Sequence, residues 1–335
     1  MGSLSSNRAW VTLLTRESYL PGAVLLAHSL HKQNSKSPLI ILYTPTLPKS
    51  MLPALARECK LTNASLRPTS MLQPRGETTL IAERFKDTWT KLRVFELVTY
   101  ERICFLDADM LVLRNMDEIF DVEFPDDGSW WLAASHVCVC NLDNDSWAPA
   151  DWKKENCAFG GSSHPTALTH PPAARKTGTH SLLNGGLFVF APSQELWGAL
   201  LEFLNSSPLV SGFMFPDQDL LAEFFRGRWL SVGWQYNALK TWRYWHPEFW
   251  QDGEVRNLHY IVDKPWARRV GRDGKAGYLG KDGVTHGWWW REFAGWVEER
   301  RRGGGGNGGG GNGGGGDQRE VSILELVGAL VDGGV

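Results

Sequence analysis

Five short runs along the chain are apolar at almost every position: WVTLL at 10–14, LIILY at 39–43, ICFLD at 103–107, WWLAA at 130–134 and LFVF at 187–190. Runs of this length without polar alternation predict parallel strands covered on both faces. The stretches between them change period. PGAVLLAHSLHKQ at 21–33 predicts an apolar helix, and TWTKLRVFELVTY at 88–100 a second one with Trp89, Leu92 and Val98 near one face. FPDQDLLAEFF at 215–225 opens on Pro216 and carries acids in its first turn, as a helix N-terminus does. Strands alternating with helices predict an open, mostly parallel α/β sheet with helices on both faces. Ligands of such sheets bind beyond the carboxyl ends of the strands. Asp107 and Asp109, in CFLDADMLVL at 104–113, fall at that place.

The pattern breaks twice. Residues 141–180 are polar and rich in Pro, Gly and Ser, which predicts a long surface excursion. From 303 to 316 the chain is Gly with two Asn, a composition that forms no core and predicts a flexible linker. The expected organisation is one domain over 1–302 with the excursion inserted at about 141–180, the linker at 303–316, and a tail over 317–335. In that tail VSILELVGAL places Ile323, Val327 and Leu330 at helical spacing.

Composition narrows the class. Of 335 residues 42% are hydrophobic, enough for a sizeable core, and no apolar run approaches the ~20 residues of a membrane span. Lys plus Arg number 35 against 37 Asp plus Glu, a balance that argues against a bulk nucleic-acid or anionic-membrane binder. MGSLSS has the shape of a myristoylation start, but no secretory signal is visible, so a cytoplasmic protein with reduced thiols is the expectation for its 5 cysteines. The spacing of Cys138, Cys140 and Cys157 leaves three readings open: reduced structural thiols, a disulfide, or zinc with a fourth ligand such as His164. The 17 tryptophans supply buried area and, where exposed, platforms for sugar rings.

In LDADM the two acids stand at i and i+2, on one face of an extended strand, and both can reach one divalent cation as the strand ends. Mg²⁺ and Mn²⁺ take hard oxygen ligands and leave positions for phosphate oxygens. Such an ion would neutralise the buried acids together with a diphosphate leaving group. Other segments fit a nucleotide ligand. TLLTRESYLPGA at 12–23 runs from a strand into a helix and offers a place for base and ribose. Lys91 precedes the acidic strand. LLNGGLFVF at 182–190 puts Asn184 and two glycines where backbone can approach a ligand, and NLHYIVDKPW at 257–266 supplies His259 and Lys264.

These motifs, in this order and over residues 8 to 300, resemble the family 8 glycosyltransferases, the group of glycogenin and plant galactinol synthase. The resemblance implies a single nucleotide-sugar-binding α/β domain of the GT-A, Rossmann-like type, and retaining, metal-dependent transfer from a UDP-sugar. It implies that Asp107, Asp109 and His259 hold the metal, with Mn²⁺ favoured by the imidazole and Mg²⁺ the alternative. Leu13, Leu14, Thr15 and Tyr19 would form the uridine wall. Ala108, Arg84, Lys91 and Lys264 would meet the nucleotide-sugar, and Asn184, Gly185, Asp217 and Gln218 the donor hexose. Asp217, Gln218 and Lys264 would act in catalysis. Three places depart from glycogenin. Arg16 replaces an Asn, HYIVDKPW is one residue shorter and lacks a Gly, and QYNALKTWRYWHPEFW at 235–250 looks closer to galactinol synthases.

Three functions follow as alternatives. One is hexosyl transfer from UDP-glucose or UDP-galactose to inositol, a sugar or a glycan. The second is a glycogenin-like self-glucosylating primer with Tyr244 as acceptor. The third is a non-catalytic nucleotide-sugar-binding protein. A homodimer is left open.

Overall fold

Each apolar run becomes a strand whose two sets of side chains feed two separate core layers. The computed structural model describes residues 7–76, 83–304 and 321–334, without the side chains of 83–86 and 304. The strands are β1 (Arg8–Leu14), β2 (Leu39–Tyr43), β3 (Ala64–Pro68), β4 (Arg102–Leu106), β5 (Met110–Val112), β6 (Leu132–His136), β7 (Leu183–Phe190), β8 (Trp229–Ser231), β9 (Ala238–Leu239) and β10 (Asn257–His259). The α-helices are α1 (Leu20–Lys32), α2 (Leu52–Leu61), α3 (Thr166–Thr169), α4 (Gln194–Ser206), α5 (Pro216–Phe224), α6 (Trp242–Trp245), α7 (Gly283–Gly304) and α8 (Ile323–Gly328).

Among the described residues the main sheet has the order β3-β2-β1-β4-β7-β6-β8. Trp10, Leu14, Cys104, Leu106, Leu187 and Val189 face one layer together with α1, α2 and α7. Val11, Ile103, Phe105, Phe188 and Phe190 face the other, with Phe95 and the apolar sides of α4 and α5. Phe95 lies 4.1 Å from Phe190, and Phe105 stacks on Phe188 at 5.1 Å. Apolar side chains on both faces explain why these strands read as continuous runs.

Two expectations are corrected. LFVF at 187–190 was expected to run parallel to the rest, but β7 is antiparallel to both β4 and β6. A strand buried on two faces has the same composition in either direction, so its pattern carries no sense of direction. The helix expected over 88–100 is a 3₁₀ run, Glu83–Glu96, followed by turns, and Val98 lies beyond it. The linker expected at 303–316 falls mainly outside the described residues.

α7 seals one face. Trp289, Phe293 and Trp296 recur at helical spacing and are buried. Glu58 on α2 is also buried, and it accepts from Trp296 Nε1 at 2.9 Å and from Arg300 Nε and Nη2, each at 2.7 Å. α8 begins at a capping box between Ser322 and Glu325 and buries Val327. Beyond it the Asp332 N–H donates to the Trp266 carbonyl at 2.9 Å.

His28 on α1 is buried between two carboxylates of α7, with Nδ1 3.0 Å from Glu292 and Nε2 3.0 Å from Glu299. Burial works to lower its pKa, but the two glutamates outweigh burial and raise it. A group raised above its unfolded value of about 6.5 stabilises fully below that pH and ceases to do so as pH rises through its folded value. Stability against urea should therefore fall on the alkaline side of pH 6.5, at a slope of at most about 1.4 kcal/mol per pH unit from this residue. The slope should flatten in His28→Gln, and an unchanged profile would show that the two glutamates do not shift the ring from its unfolded value.

Candidate active site

The chain turns sharply after β4, and the turn is where its two acids meet the rest of the site. The Asp107 N–H donates to the Gly186 carbonyl at 2.8 Å, tying the turn to β7. Asp109 leads into β5, which pairs antiparallel with β10 so that Met110 stands opposite His259. This register carries the imidazole, 150 residues downstream in sequence, to the acids. His259 Nε2 lies 3.8 Å from Asp107 Oδ2 and 3.5 Å from Asp109 Oδ1. One donor atom from each of the three residues lies within 4.8 Å of the others.

The proton on His259 can be placed from its neighbours. The Gly186 N–H donates to Asn184 Oδ1 at 3.0 Å, which fixes that atom as the acceptor oxygen. Asn237 Nδ2 then donates to the same oxygen at 2.9 Å. Asn237 Oδ1 is left facing His259 Nδ1 at 2.9 Å, so the ring proton sits on Nδ1 and the Nε2 lone pair points at the two carboxylates. Two carboxylates and an imidazole held in this tautomer suit a divalent cation. Asn237→Ala should weaken cation binding at this site by about 10–100-fold in a direct titration. Unchanged affinity would remove Asn237 as the group that orients His259.

Two lysines also meet the acids. Lys91 Nζ, buried behind the turn, lies 2.9 Å from Asp107 Oδ1 and 2.5 Å from Asp217 Oδ2, and donates to the Gly185 carbonyl at 3.0 Å. Lys264 Nζ is paired with Asp109 Oδ2 and donates to the Tyr260 carbonyl at 2.8 Å. Burial pushes the Asp107 carboxyl up, against the pull of the Lys91 ammonium. Burial acts on Asp109 in the same direction, but the Lys264 ammonium outweighs it and holds that acid well below the usual carboxylate range.

α5 supplies the next wall. Pro216 is in its first turn, and Gln218 Oε1 accepts from the Gly185 N–H at 3.2 Å. Asp219, one turn position on, serves the helix itself, accepting from the Met214 and Phe215 N–H groups at 2.8 and 2.9 Å.

Lys91, Asp107, Asp109, Asp217, Gln218, His259 and Lys264 line one cavity of about 620 Å³. Leu13, Thr15, Tyr19, Ala108, Asn184 and Gly185 reach it, as do Arg16 and Asp87, whose side chains pair at 2.7 Å. The Leu14 side chain does not, because it alternates to the opposite face and lies in the core. The Arg84 side chain lies outside the described residues. Val262, within HYIVDKPW, adopts φ +65°, a conformation unusual for a β-branched residue, in the segment where glycogenin carries a Gly.

The amino-acid sequence agrees with this geometry. Residues 10–160 match the glycosyl transferase family 8 model. Galactinol synthase 1 of Arabidopsis thaliana is 27% identical over 291 residues, covering 85% of this chain and 78% of that protein. Galactinol synthase 1 of Solanum lycopersicum is 27% identical over 273 residues, covering 78% and 74%. Over residues 10–160 the chain is similar to the family 8 glycosyltransferases.

The glycosyltransferase GlyE of Streptococcus pneumoniae superimposes with a TM-score of 0.54 at 17% identity, over 88% of this chain and 64% of that one. The chain therefore spans just under two thirds of GlyE, and this likeness concerns the fold, which is of the GT-A type. Among the described residues no helix is long and apolar enough to cross a membrane.

Opposite the acids, the cavity presents a different chemistry. Asp143, Asp145, Trp147 and Trp152 of the excursion line the cavity with Phe215, Tyr244 and Trp245. Trp152 stacks on Phe215 at 6.2 Å, and Trp147 meets both edge-on at 5.7 Å. Sequence reasoning missed Asn237 as an orienting group and also missed Lys240. The Lys240 ammonium is buried, with Asp282 Oδ2 at 2.7 Å, Asp263 Oδ2 at 2.9 Å and His286 Nε2 at 3.3 Å. It fills a cluster of two acids and a histidine that would otherwise resemble a cation site. The only sequence signal for either residue is a polar side chain inside the apolar segment WQYNALKTW.

Proposed function

We propose that the protein transfers a hexose, with retention, from a UDP-sugar to a hydroxyl-rich acceptor, a carbohydrate or a polyol such as inositol. One observation carries this reading: Asp107, Asp109 and His259, drawn from two distant segments, converge within 4.8 Å in a cavity that also holds Lys91 and Lys264. The family 8 relationship and the galactinol synthase relatives support it. Asp107, Asp109 and His259 would hold the divalent cation, Mn²⁺ in preference to Mg²⁺, which when bound supplies positive charge to a diphosphate.

The chain's own residues supply the rest of the proposal. Lys264 and Lys91 would add fixed positive charge where the departing UDP gathers negative charge. Leu13, Thr15 and Tyr19 would border the uridine. Asp217 and Gln218 would hold hexose hydroxyls beside Asn184 and Gly185. Asp217 is engaged by Lys91 and Gln218 by the Gly185 N–H, which favours attack from the face the leaving group occupies over a covalent sugar–carboxylate adduct. The acidic and aromatic wall of the excursion suits an acceptor that donates hydroxyl hydrogens and offers a ring face for stacking.

The test is UDP release from a panel of UDP-sugars with Mn²⁺, with and without inositol and simple sugars. UDP-galactose or UDP-glucose should give release that depends on both cation and acceptor. No release with any donor would refute the reading. Tyr244 lines the same cavity, which keeps the self-glycosylating reading in play. Intact mass after incubation with UDP-glucose separates the two, since added hexose that disappears in Tyr244→Phe would identify a primer.

A further inference from the structure

Away from the acids, three cysteines and one histidine close on a single point. Cys138 and Cys140 follow β6, Cys157 lies inside the excursion, and His246 ends α6. All four side chains are buried, His246 completely. His246 Nε2 lies 3.6 Å from Cys138 Sγ, 3.2 Å from Cys140 Sγ and 3.8 Å from Cys157 Sγ, and one donor atom from each residue lies within 4.8 Å of the others. His164, the histidine considered from sequence as fourth ligand, is not in the cluster. Its N–H instead donates to the Glu248 carbonyl at 3.1 Å.

These distances are those between the ligand atoms of a tetrahedral metal centre. Zn–S bonds of about 2.3 Å and Zn–N bonds of about 2.0–2.1 Å at tetrahedral angles put each sulfur roughly 3.6 Å from the nitrogen. The three observed separations bracket that value. All five cysteines are free, so no disulfide accounts for the arrangement. Hydrogen bonding to the ring does not account for it either, since three sulfurs face one nitrogen whose single lone pair accepts from one thiol at a time. The imidazole is also held in place. It stacks on Phe249 at 5.0 Å, and its Nδ1 faces the Glu248 carboxylate at 3.5 Å, the side from which ligating histidines are usually oriented.

We propose that Cys138, Cys140, Cys157 and His246 form a closed structural Zn²⁺ site, separate from the cation site at Asp107. Three thiolates and an imidazole are soft, tetrahedral ligands suited to zinc, whereas Asp107 and Asp109 are hard oxygen ligands. The site fastens the excursion at its entrance and its middle to α6. Between Cys140 and Cys157 lie Asn141, Asp143, Asp145, Trp147 and Trp152, which line the cavity, so the zinc fixes the wall assigned above to the acceptor. That last role rests on the proposed function; the zinc itself does not.

The test is metal analysis of the full-length chain. Purified protein should carry one zinc per chain, and the Asp107→Ala/Asp109→Ala double variant should carry the same amount, which separates this result from the fate of the transferase reading. Cobalt exchanged into the site should show the intense absorption of tetrahedral thiolate-bound Co²⁺. Cys157→Ser and His246→Ala should each lose zinc at least tenfold more readily to a chelator. Should those variants fail to fold, the zinc content and cobalt spectrum of the unmodified chain decide the matter. Unmodified chain that is free of zinc and gives no thiolate spectrum with cobalt overturns the proposal, as does a disulfide among the three cysteines.

Discussion

Asp109→Asn should lower cation-dependent UDP release by at least about a thousandfold while leaving the fold in place, because the substitution removes charge and keeps shape. Asp109 is the more buried of the two acids, and its carboxylate is shared between Lys264 and the Nε2 side of His259. Asparagine turns one acceptor oxygen into an NH₂ group beside an ammonium and leaves Asp107 the only acid of the pair. Thermal stability should fall, because removing one partner of a buried ion pair leaves the Lys264 ammonium uncompensated, so release is compared at a temperature where both proteins are folded. Release within tenfold of the unmodified chain would show that Asp109 does not hold the cation.

Gly186→Ala should strike the same centre from behind. A Cβ at Gly186 would stand 2.3 Å from His259 Cε1, 2.8 Å from its Nδ1 and 3.0 Å from Asn184 Oδ1. β7 lies between β4 and β6 and cannot shift to relieve the contact, so the imidazole must give way. Overpacking of this kind costs roughly 1–3 kcal/mol. Displacing an orienting contact to a metal-binding histidine should lower cation affinity and UDP release together, by about 100-fold. Gly185→Ala is the control, since its closest contacts, 3.2–3.4 Å from Asp217 and Gln218, are looser and spare His259. Urea unfolding and cation titration on both variants check the prediction. Equal effects of the two would show that the clash with His259 is not what matters.

Much of this could be read along the chain because it depends on local pattern. The strands over 10–14, 39–43 and 103–107, the helix over 21–33 and the start of α5 at Pro216 follow from period and capping chemistry, which act over a few residues. The acids after β4 were legible for the same reason: a charge at the end of a buried run stands out. What escaped depends on distance or direction. The antiparallel sense of β7 is set by where the chain arrives from, and its composition is silent on that. His246 joins Cys138 across 108 residues of chain, so the cysteine spacing pointed to three ligands and to His164, not His246, as the fourth. Asn237 looks like any polar residue until the Gly186 N–H and the Asn184 amide establish which of its atoms faces His259. Leu14 shows the reverse: alternation alone separates it from Leu13, yet the family pattern groups the two together.

The direction of β7 has one more consequence. Because it runs against β6, its first residue returns to the last residue of β6, and His136 stands opposite Leu183 in the register. Everything between leaves the sheet and comes back to the same rung. Residues 137–182 thus leave and rejoin the sheet at adjacent points, while Val139, Cys140, Cys157 and Phe159 within them pack into the core. Exchange of this segment among homologues, with the residue at 246 and the core partners of Phe159 carried along, offers the protein engineer a way to change the cavity wall that faces Asp107 and Asp109.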